Sequence, residues 1–327
     1  MSKNYKLSVC IPTFNRSSLL EKCVRSVAEQ LVANDLVELL VIDNASTDDT
    51  PMVCERLSRE FAVFKYQRNS RNLGWHGNTA RCINLANGEY IALLGDDDYY
   101  QPGLVSQLLM VLSKREYSLV NLNYSNMRRP KFEFALEKDM EFPNADDILQ
   151  YPSVGHFSGF VYNAKLAKKA LAQAIARYGE GEITDILYAE IAVRVTRTET
   201  LPSFFLGKRL LVAGQPPVRA YKWILGPYFK DYQCYAKWFS MGLITSDALE
   251  FRKRLLVDGL PRAIITSIFE LEQNEVVSIT AFYRQILSNY SKFWLVVYPL
   301  LAVSHLRSFR WFTMQVNKIW RKYSLLL

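Results

Sequence analysis

Three consecutive carboxylates, Asp96, Asp97 and Asp98, follow an apolar run from Tyr90 to Leu94 and a break at Gly95. Adjacent negative charges repel, so such a cluster is costly unless water or a cation neutralises it. At the carboxyl end of a buried strand, where open α/β sheets bind ligands, a hard divalent cation is the natural neutraliser. The competing reading is a solvated acidic turn ahead of the helix that Pro102 opens, whose dipole favours Asp. Three further polar loops also follow strand-like runs: Pro12 to Arg16, Asp43 to Asp48, and Asn72 to Trp75. An acidic residue after the second strand suits hydrogen bonds from a nucleobase or ribose. Arg16 or Arg81 suits a carboxylate or phosphate, and the aspartates suit a metal that bridges a diphosphate.

The elements needed to hold these loops are legible from periodicity. Leu7 to Ile11 reads as a strand closed by Pro12, and Leu36 to Ile42 as a strand buried on both faces. Val63 to Tyr66 is a third strand, and the run into the aspartates a fourth. Between them lie helical patterns: one N-capped by Ser17 and Ser18, one holding Val53, Leu57 and Phe61, and one with Ala80, Cys82, Ile83 and Leu85. Alternation of strand and helix over the first ~115 residues predicts right-handed βαβ units and a mostly parallel sheet, an α/β fold. In such a sheet all four loops share one edge, so their side chains can converge.

Beyond it, Leu119 to Tyr124 reads as a strand, Met127 to Phe142 as a loop or β-excursion, and Asp146 to Tyr151 as a short helix. His156 to Tyr162 has strand character, Ala164 to Tyr178 is helical, and Gly179 to Asp185 is an acidic loop before another helix. A last strand runs from Phe204 to Val212. From about Tyr221 helical periodicity dominates, and Gln215-Pro216-Pro217 marks a boundary near 217.

The 327 residues are half hydrophobic and 22% charged, which suits a globular chain with a substantial core rather than a disordered one. The net charge of +8 favours anionic partners such as phosphorylated small molecules or an anionic membrane surface. Nucleic acid is disfavoured because the basic residues are not gathered on one motif. The five cysteines lack C-x-x-C spacing, and four sit in apolar patterns, which predicts buried thiols in a reducing compartment. The first residues enter a strand without a secretory signal pattern, so the expectation is cytoplasmic. Phe293 to Val303 is too short to span a bilayer. After it, Arg307, Arg310, Lys318, Arg321 and Lys322 alternate with Phe309, Trp311, Phe312, Ile319 and Trp320, the composition of an amphipathic segment at a membrane interface.

At these same loops the chain resembles the inverting family 2 glycosyltransferases of the GT-A fold. The resemblance rests on Ser8 to Arg16, Val41 to Asp48, Asn72-Leu73-Gly74 followed by Ala80-Arg81, and Ala86 to Asp98, in the family's order and spacing. It is nearest to the abequosyltransferase-like members that build bacterial O-antigen and related surface polysaccharides. It implies a GT-A nucleotide-sugar-binding catalytic domain over 1–217 and a helical C-terminal region over 218–327. Thr13, Asn15, Arg16, Asp43 and Asn44 then match positions around the donor's base and ribose, and Arg81 a residue supporting that pocket. Asp96, Asp97 and Asp98 match the motif that binds Mn2+ or Mg2+ and, through it, the donor. Gly95 stands where many members have aspartate. That shifts the Asp-x-Asp pair to Asp96 and Asp98, with Asp97 the alternative direct ligand.

The family's general base is an acidic residue well after this motif. Here Glu180, Glu182 and Asp185 are candidates, and Asp185, at a predicted helix start, is the choice over a purely capping role. His156 and His76 are further candidates for contact with acceptor, diphosphate or donor. The resemblance therefore implies a metal-dependent hexosyl- or deoxyhexosyltransferase, peripheral on the inner face of the plasma membrane. Its acceptor is expected to be a glycan, carried on a polyprenyl diphosphate. A dehydrogenase is disfavoured by the lack of G-x-G-x-x-G after the first strand. A non-catalytic membrane scaffold of the same fold is the remaining alternative.

Overall fold

A computed structural model describes residues 4–31, 35–126, 137–150, 156–178, 187–198, 200–214, 225–267, 273–304, 306, 308–309 and 311–315. The chain divides into two compact units, Met1–Pro216 and Pro217–Leu327.

The first unit begins with β1 (Leu7–Thr13), α1 (Ser17–Ala28), β2 (Val37–Asp43), α2 (Thr50–Glu60), β3 (Phe64–Arg68), α3 (Gly74–Leu85) and β4 (Tyr90–Leu93). Every residue of β1, β2 and β4 is buried, as their unbroken aliphatic runs require of strands covered on both faces. There follow β5 (Tyr99–Tyr100), α4 (Leu104–Lys114), β6 (Leu119–Asn126), β7 (Met140–Phe142), β8 (Phe160–Asn163), α5 (Ala164–Tyr178), α6 (Leu187–Thr196) and β9 (Ser203–Ala213). Among the described residues these strands form one nine-stranded sheet in the order β3-β2-β1-β4-β8-β6-β9-β5, with β7 on β9.

The β3-β2-β1-β4 half is wholly parallel. Chain order moves outward from β1 to β3 and then returns across it to β4, so β1 and β4 flank a topological switch point, where α/β sheets open a crevice. Register does the positioning. Thr13 pairs with Asp43 and Asp43 with Arg68, which sets the three side by side at the carboxyl edge. β4 pairs with β1 only as far as Cys10 opposite Leu93, and Leu94 N–H still donates to Cys10 O at 2.9 Å, so the aspartates emerge beside Thr13.

The parallel half is as expected, and beyond it the sheet is mixed, because β8, β5 and β7 run antiparallel to their neighbours. Several local expectations are corrected. Pro12 does not close β1, which continues to Thr13. Ser17 and Ser18 lie inside α1, and the Ser17 N–H is capped from the neighbouring loop by Asp48 Oδ2 at 3.1 Å. Trp75 to Asn78 belong to the first turns of α3, not to the loop before it. The His156–Tyr162 run is a 3-10 turn, Phe157–Gly159, and then β8. The four cysteines in apolar patterns, Cys10, Cys23, Cys54 and Cys82, are buried free thiols, as expected.

At the opposite end of β2, Glu38 is fully buried and ties three segments together. It accepts from Ser8 Oγ (2.6 Å), Lys65 Nζ (2.7 Å), Asn87 N (2.9 Å) and Asn87 Nδ2 (2.9 Å). Gly88 beside it has no room for a side chain, since a Cβ would lie 2.6 Å from Ser8 N.

The second unit contains α7 (Leu225–Ser240), α8 (Ser246–Ser267), α9 (Gln273–Leu287), a π-helical turn Phe293–Val297 and α10 (Tyr298–Val303). Tyr283, Leu287, Phe293, Val297 and Leu301 are buried in it, while Trp294, Leu295, Trp311 and Phe312 are exposed. Among the described residues no helix is long and apolar enough to cross a membrane.

Burial pushes the Glu38 carboxyl up, but Lys65, Ser8 and Asn87 outweigh it and hold it below its ordinary 4.5. Its contribution to stability is therefore full above 4.5 and is lost as pH falls through the lower folded value. Glu38→Ala is expected to cost about 2–4 kcal/mol near neutral pH. Urea unfolding of the full chain checks this, with a gap to wild type that narrows on acidification.

Candidate active site

The four loops after β1, β2, β3 and β4 meet at the carboxyl edge. The first two are clipped together through backbone that favours small or polar residues: Asn15 and Ala45 have φ of 53° and 63°. Asn15 N–H donates to Ser46 Oγ at 2.9 Å, and Thr47 N–H donates to Asn15 Oδ1 at 2.7 Å. Asp43 is fully buried with both oxygens engaged. Oδ1 accepts from Ser46 N at 2.9 Å, while Oδ2 accepts from Tyr66 Oη at 2.9 Å and Arg68 Nε at 3.2 Å. Burial and then Asp43 raise the Tyr66 phenol, so it stays protonated and remains a donor.

Asn44 organises the third loop. Its Oδ1 accepts from Leu73 N at 2.8 Å and Asn69 Nδ2 at 3.0 Å, and its Nδ2 donates to Asn72 Oδ1 at 2.8 Å. Asn69 Nδ2 also donates to Asn78 Oδ1, and Asn78 Nδ2 to Ile42 O at 3.0 Å. A chain of three buried asparagines thus fixes the start of α3 against β2.

The aspartates face in different directions. Asp96 Oδ2 accepts from Thr13 Oγ1 at 2.8 Å and its Oδ1 from Arg16 Nη1 at 3.0 Å. Arg16 also lies 3.4 Å from Asp97 Oδ2 and so bridges two of the three carboxylates. Asp98 Oδ1 accepts from Gly214 N at 2.8 Å, and its Oδ2 takes the Ser158 hydroxyl and lies 2.9 Å from His156 Nε2. Ser158 Oγ accepts from Gly95 N at 2.8 Å, which pins the turn. A Cβ on Gly95 would come within 3.2 Å of the Asp97 and Asp98 carboxylates. The aspartate missing there leaves room that its two neighbours use.

These environments separate the three acids. Burial pushes Asp96 up to about 6 against the pull of Arg16 and Thr13. Burial and the neighbouring Asp98 also raise Asp97. Burial acts on Asp98 too, but His156, Ser158 and Gly214 together bring it below its ordinary value.

Asp98 is thus the member held ready as an anion. His156 Nε2 is buried within ion-pair distance of it, yet not aligned as a hydrogen bond. A carboxylate oxygen and an imidazole nitrogen so placed, with Asp97 adjacent, are donor atoms of the kind a divalent cation takes. Among the described residues no group of three or more Asp, Glu, His or Cys is arranged to hold a metal ion.

Of the residues singled out from sequence, Thr13, Asn15, Arg16, Asp43, Asn44 and the aspartates are brought together. Arg81 is exposed on α3, apart from them. Asp185, with Glu180 and Glu182, lies outside the described residues. Glu190 on the following helix is buried and pairs with Arg194 at 2.7 Å. Tyr66, Arg68, Asn69, Asn78, Ser158 and Gly214 were not singled out. Ser158 stands two positions after His156, but the others become visible only through register and tertiary contact.

Residues 8–171, half of the chain, match the family described as Glycosyl transferase family 2. The GalNAc(5)-diNAcBac-PP-undecaprenol beta-1,3-glucosyltransferase of Campylobacter jejuni is 34% identical over 47% of this chain and 51% of its own length. Abequosyltransferase RfbV of Salmonella typhimurium is 40% identical over 28% of each chain. The matched stretches therefore span about half or less of these relatives. Staphylococcus aureus TarS 1-349 in complex with UDP-GlcNAc shares the fold with a TM-score of 0.59 and 14% identity, over 97% of this chain and 92% of that one.

A raised acid is stabilising to the fold when protonated, so the Asp96 contribution is greatest below 3.8 and is lost as pH rises through about 6. Asp96→Asn is therefore expected to stabilise the metal-free protein above that pH. Two pKa units set an upper bound of about 3 kcal/mol on the gain. Thermal unfolding in EDTA across the pH range checks it: the advantage should vanish on acidification.

Proposed function

Because the chain belongs to glycosyl transferase family 2, we propose that it transfers a sugar, with inversion, from a nucleoside diphosphate donor to a lipid-linked glycan. The observation that carries this reading is the meeting of four post-strand loops at one edge, with a base-reading end and an acidic end. At the first end, Asp43, held by Ser46, Tyr66 and Arg68, would fix the turn that receives base or ribose, with Thr13, Asn15 and Asn44 shaping it.

At the other end, Asp98 and His156, with Asp97 beside them, would hold Mn2+ or Mg2+, which when bound supplies Lewis-acid stabilisation of the departing diphosphate. Asp96 belongs to this group through Arg16, whose guanidinium holds two of the carboxylates apart and in place. Asp185 acts as general base, taking the proton of the acceptor hydroxyl as its oxygen attacks the anomeric carbon.

The acceptor we favour is a glycan on a polyprenyl diphosphate in surface polysaccharide assembly, the substrate class named for the Campylobacter relative. The exposed Trp294, Leu295, Trp311 and Phe312 of the second unit support peripheral attachment to the cytoplasmic membrane face.

Thermal shift with UDP, GDP, CDP and dTDP, each with and without Mn2+, tests the reading: one nucleotide should stabilise the chain only when metal is present. If none does, the reading fails. Asp98→Asn should abolish the metal-dependent shift. Asp185→Asn should keep it but lower the transfer rate by ~10²–10⁴-fold. Flotation with anionic liposomes checks attachment, and a Trp311→Ala, Phe312→Ala double variant should bind them less.

A further inference from the structure

Large apolar side chains are exposed where the donor site opens: Phe14 after β1, Leu73 before α3, and Trp75 on its first turn. Trp75 is 43% exposed and yet held in place. Its ring lies 4.8 Å from that of Phe157, which meets Tyr188 edge-on at 5.3 Å. Tyr188 packs on Phe160 at 5.7 Å, and Phe160 stacks on Tyr162. Tyr162 Oη in turn donates to the Tyr188 carbonyl at 2.9 Å. Five rings thus run from solvent to the fully buried β8, and the core has no need of the outermost one.

One end of this ledge says what it faces. Phe157 directly follows His156, the partner of Asp98, so the ledge adjoins the acidic end of the site. A hydroxyl attacking the donor sugar must approach beside the diphosphate held there. Pyranose rings present an apolar C–H face that packs on aromatic surface, and a pre-ordered aromatic loses little entropy on binding. Resting on the transferase reading, we infer that Trp75, buttressed by Phe157, is the platform on which the acceptor's terminal sugar ring stacks. A nucleobase is the competing occupant of an aromatic face, and the test separates the two.

The probes are methyl glycosides of glucose, galactose, N-acetylglucosamine, N-acetylgalactosamine and rhamnose. They are added to protein carrying Mg2+ and the nucleoside diphosphate identified above, and binding is read by saturation-transfer NMR. At least one glycoside should receive saturation from wild type. Trp75→Ala should weaken that binding roughly fivefold to tenfold. Trp75→Phe should retain most of it, and nucleotide affinity should change less than about twofold in both variants. The platform is overturned if nucleotide binds but no glycoside does, or if Trp75→Ala leaves glycoside binding intact. It is equally overturned if nucleotide affinity falls in its place, which would make Trp75 a base platform. Absence of nucleotide binding to wild type would remove the transferase reading and this inference together.

Discussion

Three buried or half-buried carboxylates in a row cannot share one environment, and the rest of the site follows from how they are kept apart. Each is given its own partners from a different part of the chain. Asp96 goes to Thr13 and Arg16, Asp97 shares Arg16, and Asp98 turns to Ser158, His156 and Gly214. Burial disfavours ionisation at all three, and only at Asp98 do the partners overcome it. The sheet must therefore bring β1, β4, β8 and the end of β9 to one corner, and its mixed strand order does so. The turn that leads into β8 and the residue that follows β9 supply the groups that hold Asp98.

The end of the edge around Asp43 obeys a different constraint. Asp43 reaches the edge of the sheet fully buried, and its charge is compensated by Arg68 and a neutral phenol. The partnership is a consequence of parallel register, since Asp43 pairs with Arg68 directly on the adjacent strand. Buried hydrogen-bonded groups of this kind fix geometry more than they add stability.

The parallel half of the sheet and the positions of its four polar loops were legible from sequence, because fully buried strands write unbroken aliphatic runs and their loops write clusters of polar residues. What stayed hidden has physical causes. β5 is two residues long, too short to carry a period. The turn at Phe157–Gly159 has the composition of the strand it precedes. Asp48 as the cap of α1 acts across 31 positions of sequence, which no local pattern reveals, so Ser17 and Ser18 were the natural but wrong choice. Arg81 and Arg68 are alike as residues, and only register decides which one meets Asp43. The expected donor-binding and metal roles came from the family resemblance of the loop motifs, not from the residues alone. The hydrogen-bond and ion-pair partners of those residues became visible only in the tertiary structure.

Gly214 carries one more implication. It closes β9, gives its amide to Asp98, and passes so near the Asp97 carbonyl that a Cβ would fall 1.5 Å from that oxygen. It is also two residues short of the point where the first unit ends. The edge of the catalytic module is therefore not a neutral seam. A minimal fragment or a chimaera joined upstream of this glycine would keep every loop named from the sequence and still lack one wall of the acidic corner, whereas a junction placed after it would leave the corner whole.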